Sequence, residues 1–331
     1  MPGATSTPGP RSVTVFTLGG TISAPGGDVG AARLSGAQVL AGTTTASDVV
    51  VELCDFRRLP SASLTFEDVT ELAGRIDQVA AAGAGVVVVQ GTDTIEETAF
   101  LLDLVCRRET PVVVTGAMRR PDLPGPDGAA NLAAAIAVAA DADCRGLGVL
   151  VVFADEIHAA RHVRKTHTTS ISTFASPALG PLGLVVEGTP RVLLRPSRPT
   201  VAQPLRLRRP VRVGLVTLAL GDRGELLEGV DDRLDGLVVA GFGAGHVPSW
   251  LVDPLAELAD RMPVVLASRT GAGPLLSHTY RGPGSEHDLL GRGLISAGFL
   301  DPAKARLLLH ALLADEADWP RIVEAFEGLA G

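Results

Sequence analysis

Apolar positions along this chain fall into two rhythms. Val86 to Val89 is apolar at every position, the mark of a strand buried on both faces. Pro111 to Val114 and Leu147 to Phe153 read the same way. Val13 to Leu18 and Val49 to Cys54 are short β-branched runs that also predict strands. Between these runs the spacing becomes helical. From Phe66 to Ala82, the residues Val69, Leu72, Ile76 and Val79 share one face. Thr94 to Cys106 and Asp127 to Ala140 predict two more helices, and Glu96 and Glu97 fall in the first turn of the former, where the helix dipole favours anions.

The alternation breaks between Pro190 and Pro210, a segment holding five prolines and six arginines. It resumes with strands at Val211 to Leu218, Leu234 to Ala240 and Val264 to Ala267. Helices are predicted at Trp250 to Arg261, Pro302 to Leu313 and Trp319 to Leu329. Strands alternating with helices, several apolar throughout, predict an α/β chain of two domains with mainly parallel sheets. The expected division is a flexible tail at 1–12, a larger N-terminal catalytic domain at 13–193, a linker at 194–210 and a smaller C-terminal domain at 211–331.

Composition narrows the function. Hydrophobic content of 46% and charged content of 20% argue against disorder. A net charge of −8 argues against a nucleic-acid partner, and the basic run from Arg206 to Arg212 is too short and too poor in aromatics to reverse that. No apolar stretch reaches the roughly 18 residues of a membrane helix. The N-terminus MPGATSTPGPRS lacks the apolar centre of a secretion signal. Cys54, Cys106 and Cys144 have no metal spacing and read as reduced, buried thiols of a cytoplasmic protein. Only two lysines occur, Lys165 and Lys304; all other basic side chains apart from histidine are arginine. A surviving lysine marks a place where a guanidinium is a poor substitute. Lys304 opens a helix with apolar Leu307, Leu308 and Leu312, which points to a structural role.

Open α/β sheets bind ligands beyond the C-terminal ends of their strands. Here three predicted strands end in Gly19-Gly20-Thr21, in Gln90-Gly91-Thr92-Asp93-Thr94 and in Thr115-Gly116-Ala117. Glycines admit a close ligand, and backbone amides there can stabilise an oxyanion. Thr94 fits a helix cap as well as a site, because Glu97 lies three residues on. A hydroxyl nucleophile needs a base. Lys165 lies in a polar stretch after the strand Leu147 to Phe153, and a desolvated lysine near another cation can lose its proton near neutral pH. His158 and His162 have the spacing of a helical zinc pair but no third ligand. The glycine-rich run Gly241 to Gly245 could cradle phosphate but lacks the dinucleotide spacing. No metal or cofactor is expected.

Several separated motifs together resemble the bacterial-type L-asparaginases. They are Thr17 to Ile22 (TLGGTI), Gln90 to Thr98 (QGTDTIEET), Thr115 to Arg119 (TGAMR), Val163 to Thr169 (VRKTHTT), Gly180 to Gly183 (GPLG) and Asp301 to Arg306 (DPAKAR). The resemblance implies hydrolysis of asparagine to aspartate and ammonia through a covalent acyl-enzyme. Thr21 matches the primary nucleophile, and Thr92, Asp93 and Lys165 match a second catalytic group with Lys165 as base. It also implies that Asp93 holds the substrate amino group and that amides at Thr92 and Ala117 form the oxyanion hole. Ser61 matches a substrate-binding serine, with Gly20 and Gly91 lining the site, and Glu286 matches an acid donated by a neighbouring subunit of a homodimer or homotetramer. Three positions depart from the family pattern. No tyrosine precedes Tyr280, Ala62 stands where the family has glutamine, and His246 stands where it has asparagine. Tyr280 could supply the missing hydroxyl from a partner subunit. The alternatives are a hydrolase preferring glutamine or another small amide, and a non-catalytic amino-acid-binding protein.

Overall fold

The computed structural model of the chain describes residues 11–20, 22, 36–43, 45–106, 110–195, 201 and 203–330. Thr21, residues 1–10 of the expected tail, and residues 196–200 and 202 of the expected linker lie outside the described residues. Two compact units are formed. The first holds the described residues up to Ser176 and Gly180–Arg195, the second Pro177–Leu179 and the described residues beyond Pro196.

In the first unit, strands and helices alternate: β1 (Arg11–Thr17), α1 (Gly36–Ala41), β2 (Val49–Asp55), α2 (Phe66–Ala81), β3 (Gly85–Val89), α3 (Ile95–Val105), β4 (Val112–Thr115), α4 (Gly128–Ala140) and β5 (Val149–Phe153). Five short strands follow, β6 (Glu156–Ala159), β7 (Arg164–Lys165), β8 (Phe174–Ala175), β9 (Gly183–Val186) and β10 (Thr189–Val192). The eight-stranded sheet runs β10-β9-β6-β5-β4-β3-β1-β2. Its strands from β5 to β2 are parallel, and β6, β9 and β10 extend it antiparallel. Strand order therefore reverses at β1, with β2 on one side and β3 on the other. Crossovers leaving β1 and β3 go opposite ways, which opens a crevice between the C-terminal ends of those two strands.

Packing explains why these residues form these strands. Val13, Val15, Val87, Val89 and Val113 face Leu132 and Ile136 of α4 in one buried cluster. Each buried valine contributes about 2 kcal/mol relative to exposure. β3, β4 and β5 are buried at every position, as their unbroken apolar runs require. α2 buries Val69, Leu72 and Ile76, and Thr65 and Asp68 close a reciprocal capping box at its start. Such a cap contributes about 1 kcal/mol. β2 is an edge strand with several exposed positions, so Cys54 is half-buried rather than enclosed, while Cys106 and Cys144 are buried.

The second unit contains β11 (Val213–Thr217), β12 (Gly236–Gly241), α5 (Val252–Ala259), β13 (Val264–Ser268), α6 (Glu286–Gly291), β14 (Ile295–Ser296), α7 (Pro302–Ala314) and α8 (Trp319–Ala330). Its four strands are all parallel and lie in chain order, β11-β12-β13-β14. The Asp301 carboxylate caps α7 by accepting from Ala303 N and Lys304 N, and Pro302 follows in the first turn. Among the described residues, no helix is long and apolar enough to cross a membrane.

Candidate active site

The crevice at the ends of β1 and β3 is built by two glycines. Gly20 has φ +94°, and a Cβ there would sit 2.2 Å from Gly91 N. A Cβ on Gly91 would in turn meet Ser61 Oγ at 2.7 Å. Side chains at either position would force the two strand ends apart. Ser61 is buried and ties the neighbouring loop down, its Oγ accepting from Asp93 N at 3.2 Å. Thr94 Oγ1 donates to Ser61 O at 3.0 Å and accepts from Gln90 Nε2 at 3.2 Å. That occupies the Thr94 hydroxyl, so it does not cap α3, although the chain around it satisfies the capping-box pattern.

Lys165 arrives by an unexpected route. The strand β5 is not followed by an open loop. A two-residue turn at Ala154 and Asp155, with φ of 49° and 63°, sends the chain back as β6. Lys165 then lies in β7, opposite Phe174 of β8 in a two-stranded ribbon. Its backbone N–H donates to the Glu96 carboxylate in the first turn of α3. Glu96, predicted only as a dipole partner, thus anchors the lysine's strand. Lys165 Nζ donates to Thr92 Oγ1 at 2.9 Å and to Asp93 Oδ1 at 3.0 Å. Thr92 is buried, the Lys165 side chain is largely shielded, and the Asp93 side chain is open to solvent. Hydroxyl, ammonium and carboxylate are therefore in direct contact across 73 residues of sequence separation.

Ala117 follows β4 and is fully buried. Neither Thr92 N–H nor Ala117 N–H makes a hydrogen bond among the described residues. Two unspent amides beside a hydroxyl–lysine pair can stabilise an oxyanion.

Glu286 lies in the second unit, fully buried. Its Oε1 accepts from Thr279 N at 3.1 Å and Tyr280 N at 2.8 Å, and its Oε2 lies 3.5 Å from His246 Nε2. The Tyr280 ring meets the His246 ring edge-on at 4.8 Å. All three residues singled out in this region thus pack as one group. Ala62 is exposed in the 3₁₀ turn Ser61–Ser63.

Two weaker readings fail on geometry. His158 is on a strand, not a helix, and its Nδ1 pairs with Ser176 Oγ at 3.0 Å. Burial pushes its pKa down to about 4, so the ring is neutral. Glu156 Oε2 lies 3.1 Å from Nε2 but out of hydrogen-bond alignment, and its side chain is 43% exposed, so burial outweighs its attraction. No group of three or more metal-ligating side chains occurs among the described residues. The run Gly241 to Gly245 is folded onto itself: Phe242 N donates to His246 O, and Gly245 N and His246 N donate to Phe242 O. Those amides are not available to a phosphate.

Fold and site together define an α/β protein with a threonine–lysine–aspartate cluster at a topological switch point, a class suited to nucleophilic chemistry on a small ligand. The chain belongs to the asparaginase family: residues 12–198 match its N-terminal domain, and residues 212–326 match the glutaminase/asparaginase C-terminal domain. A probable L-asparaginase of Deinococcus radiodurans is 42% identical over 260 residues, 77% of this chain and 79% of that protein. An L-asparaginase of Bacillus licheniformis is 33% identical over 312 residues, covering 92% of this chain and 96% of its own. The crystal structure of a probable cytoplasmic L-asparaginase from Campylobacter jejuni superposes with a TM-score of 0.85 at 30% identity, covering 96% of this chain and 99% of that one.

Proposed function

We propose that this chain is an amidohydrolase that converts L-asparagine to aspartate and ammonia. The observation that carries the proposal is Lys165 Nζ at 2.9 Å from Thr92 Oγ1, beside two backbone amides that no described residue engages. Thr21, assigned by family resemblance, attacks the side-chain amide carbon. The resulting oxyanion rests on the amides of Thr92 and Ala117. Ammonia leaves with a proton, and an acyl ester on Thr21 remains. Water, activated through Thr92 and Lys165, cleaves the ester, and aspartate departs with the hydroxyl of Thr21 restored. Asp93, open to solvent beside Lys165, is placed to take the substrate's ammonium group. Ser61 supports that loop from below, and its buried hydroxyl already serves Asp93 N.

Glu286 has a double duty in this reading. Its buried carboxylate holds the turn at Thr279 and Tyr280 in its own chain, and the family resemblance alone assigns it a second role, at the site of a neighbouring subunit in a homodimer or homotetramer. The three cysteines, none of them joined in a disulfide among the described residues, support a cytoplasmic setting. An ammonia-release assay over asparagine, glutamine and related small amides tests the proposal. Release from asparagine with a pre-steady-state burst of about one equivalent supports it. Release from glutamine alone would move the substrate assignment, since one methylene is worth only about 1–3 kcal/mol of discrimination. Binding of amino acids without any release would replace it with the binding-protein reading.

A further inference from the structure

The peptide joining Gly116 to Ala117 is gripped from its carbonyl side. Asn131, in α4, donates from Nδ2 to Gly116 O at 3.0 Å and to Asp127 Oδ2 at 3.2 Å. Its Oδ1 accepts from Ala154 N at 3.0 Å, at the turn that sends β5 back into β6. The side chain is buried, and every donor and acceptor group of its amide is engaged. Asp127 adds a second grip. Its two carboxylate oxygens accept from Met118 N at 3.0 Å and Arg119 N at 2.8 Å. The segment after β4 is therefore fastened before and after Ala117 by two side chains four residues apart, Asp127 at the N-cap of α4 and Asn131 within the helix.

This grip has a chemical consequence. A peptide is planar and trans, so its C=O and N–H point in opposite directions. Fixing Gly116 O fixes the aim of the Ala117 N–H. A hydrogen bond accepted by the carbonyl also polarises the peptide and strengthens its N–H as a donor. The peptide lies beside the proposed site: a Cβ on Gly116 would be 2.5 Å from Gln90 O and 3.5 Å from Thr92 Cγ2. We infer that Asn131, braced by Asp127, is a positioning residue that aims and polarises the Ala117 amide toward the reacting oxygen. The inference rests on the amidohydrolase reading above. A purely architectural Asn131 would change stability without separating turnover from binding.

The test compares the wild-type chain with Asn131→Leu and Asp127→Asn. Asn131→Leu removes the grip with little change of volume. Its kcat for asparagine should fall roughly 10- to 100-fold, while KM stays within about threefold, because the amide's donor strength matters most as charge develops. Asp127→Asn keeps the Asn131 bond to Gly116 and should lose roughly 3- to 10-fold. Hydrogen exchange across 116–119, read on the same samples, should accelerate in Asn131→Leu. If Asn131→Leu does not fold, Asp127→Asn alone decides: unchanged kcat overturns the role. A folded Asn131→Leu with kcat within twofold of wild type, or with a raised KM alone, overturns it too. A wild-type chain that releases no ammonia from any small amide refutes the activity itself, and this role with it.

Discussion

The two units of this chain share an architecture and differ in strand order. In the first, order reverses at β1, and the crevice that results holds Gly20, Gly91, Thr92, Asp93 and Lys165. In the second, β11 to β14 lie in chain order, with no reversal in the sheet. There the C-terminal strand ends are filled by Arg269, whose guanidinium stacks on Phe242 at 4.3 Å and donates to Leu218 O at 2.7 Å. The two lysines repeat the contrast. Lys165 meets a hydroxyl and a carboxylate at a crevice, whereas the Lys304 side chain is 1% exposed and lies 3.4 Å from Asp301 at the start of α7. Topology decides where chemistry can sit, and residue type alone does not.

The sharpest way to break the comparison is to change each lysine. Lys165→Arg keeps the charge but cannot act as a base near neutral pH, so kcat should fall by about 10³-fold or more, as should that of Thr21→Ala. Ammonia-release kinetics on folded protein would measure this, and a fully active Lys165→Arg would remove the lysine from the mechanism. Lys304→Ala should do the opposite. It leaves Asp301 without its buried partner and opens a cavity under α7, at a cost of about 3 kcal/mol by denaturant titration. The remaining folded molecules should keep wild-type kcat.

Much of this was legible in the sequence, and the gaps have physical reasons. β3, β4 and β5 announced themselves because burial on both faces demands unbroken valine runs. Lys165 stood out through scarcity. The antiparallel extension did not show. Its turns use Ala154, Asp155 and Glu187 at positive φ, with no glycine at the first two. Pro190 opens the proline-rich segment where the alternation breaks, yet it lies in β10 at the sheet's edge, where a missing N–H is tolerated. β7 and β8 are two residues each, too short for any periodicity. Asn131 hid in an alanine-rich helix, where one amide among apolar neighbours was the available signal.

A smaller effect sharpens the comparison on the side of stability. His158 is buried and neutral in the first unit, with its pKa lowered from 6.5 to about 4. The unfolded chain takes up that proton below pH 6.5, and the folded unit does not until about pH 4. Stability from this site is therefore complete above pH 6.5 and is lost as pH falls toward 4. The loss is about 2 kcal/mol at pH 5. Denaturant titrations at pH 7.5 and pH 5 should show it. His158→Gln should flatten that part of the slope, and an unchanged slope would mean the ring is protonated in the fold.

The thiols offer the gentlest probe, and all three belong to the first unit. Cys144 is buried, and desolvation, with Asp141 nearby, pushes its pKa up to about 12. A thiol held in that state has almost no thiolate to react. Cys106 is enclosed as well, whereas Cys54 sits half-buried on the edge strand β2. Native protein should therefore lose one thiol to a mild alkylating reagent at least about tenfold faster than the other two. Denatured protein should lose all three together. Cys54→Ser should abolish the fast phase and leave the slow one, which then reports opening of the first unit alone. A fast phase that survives in Cys54→Ser would show that the sheet around Cys106 or Cys144 opens far more readily than its packing implies.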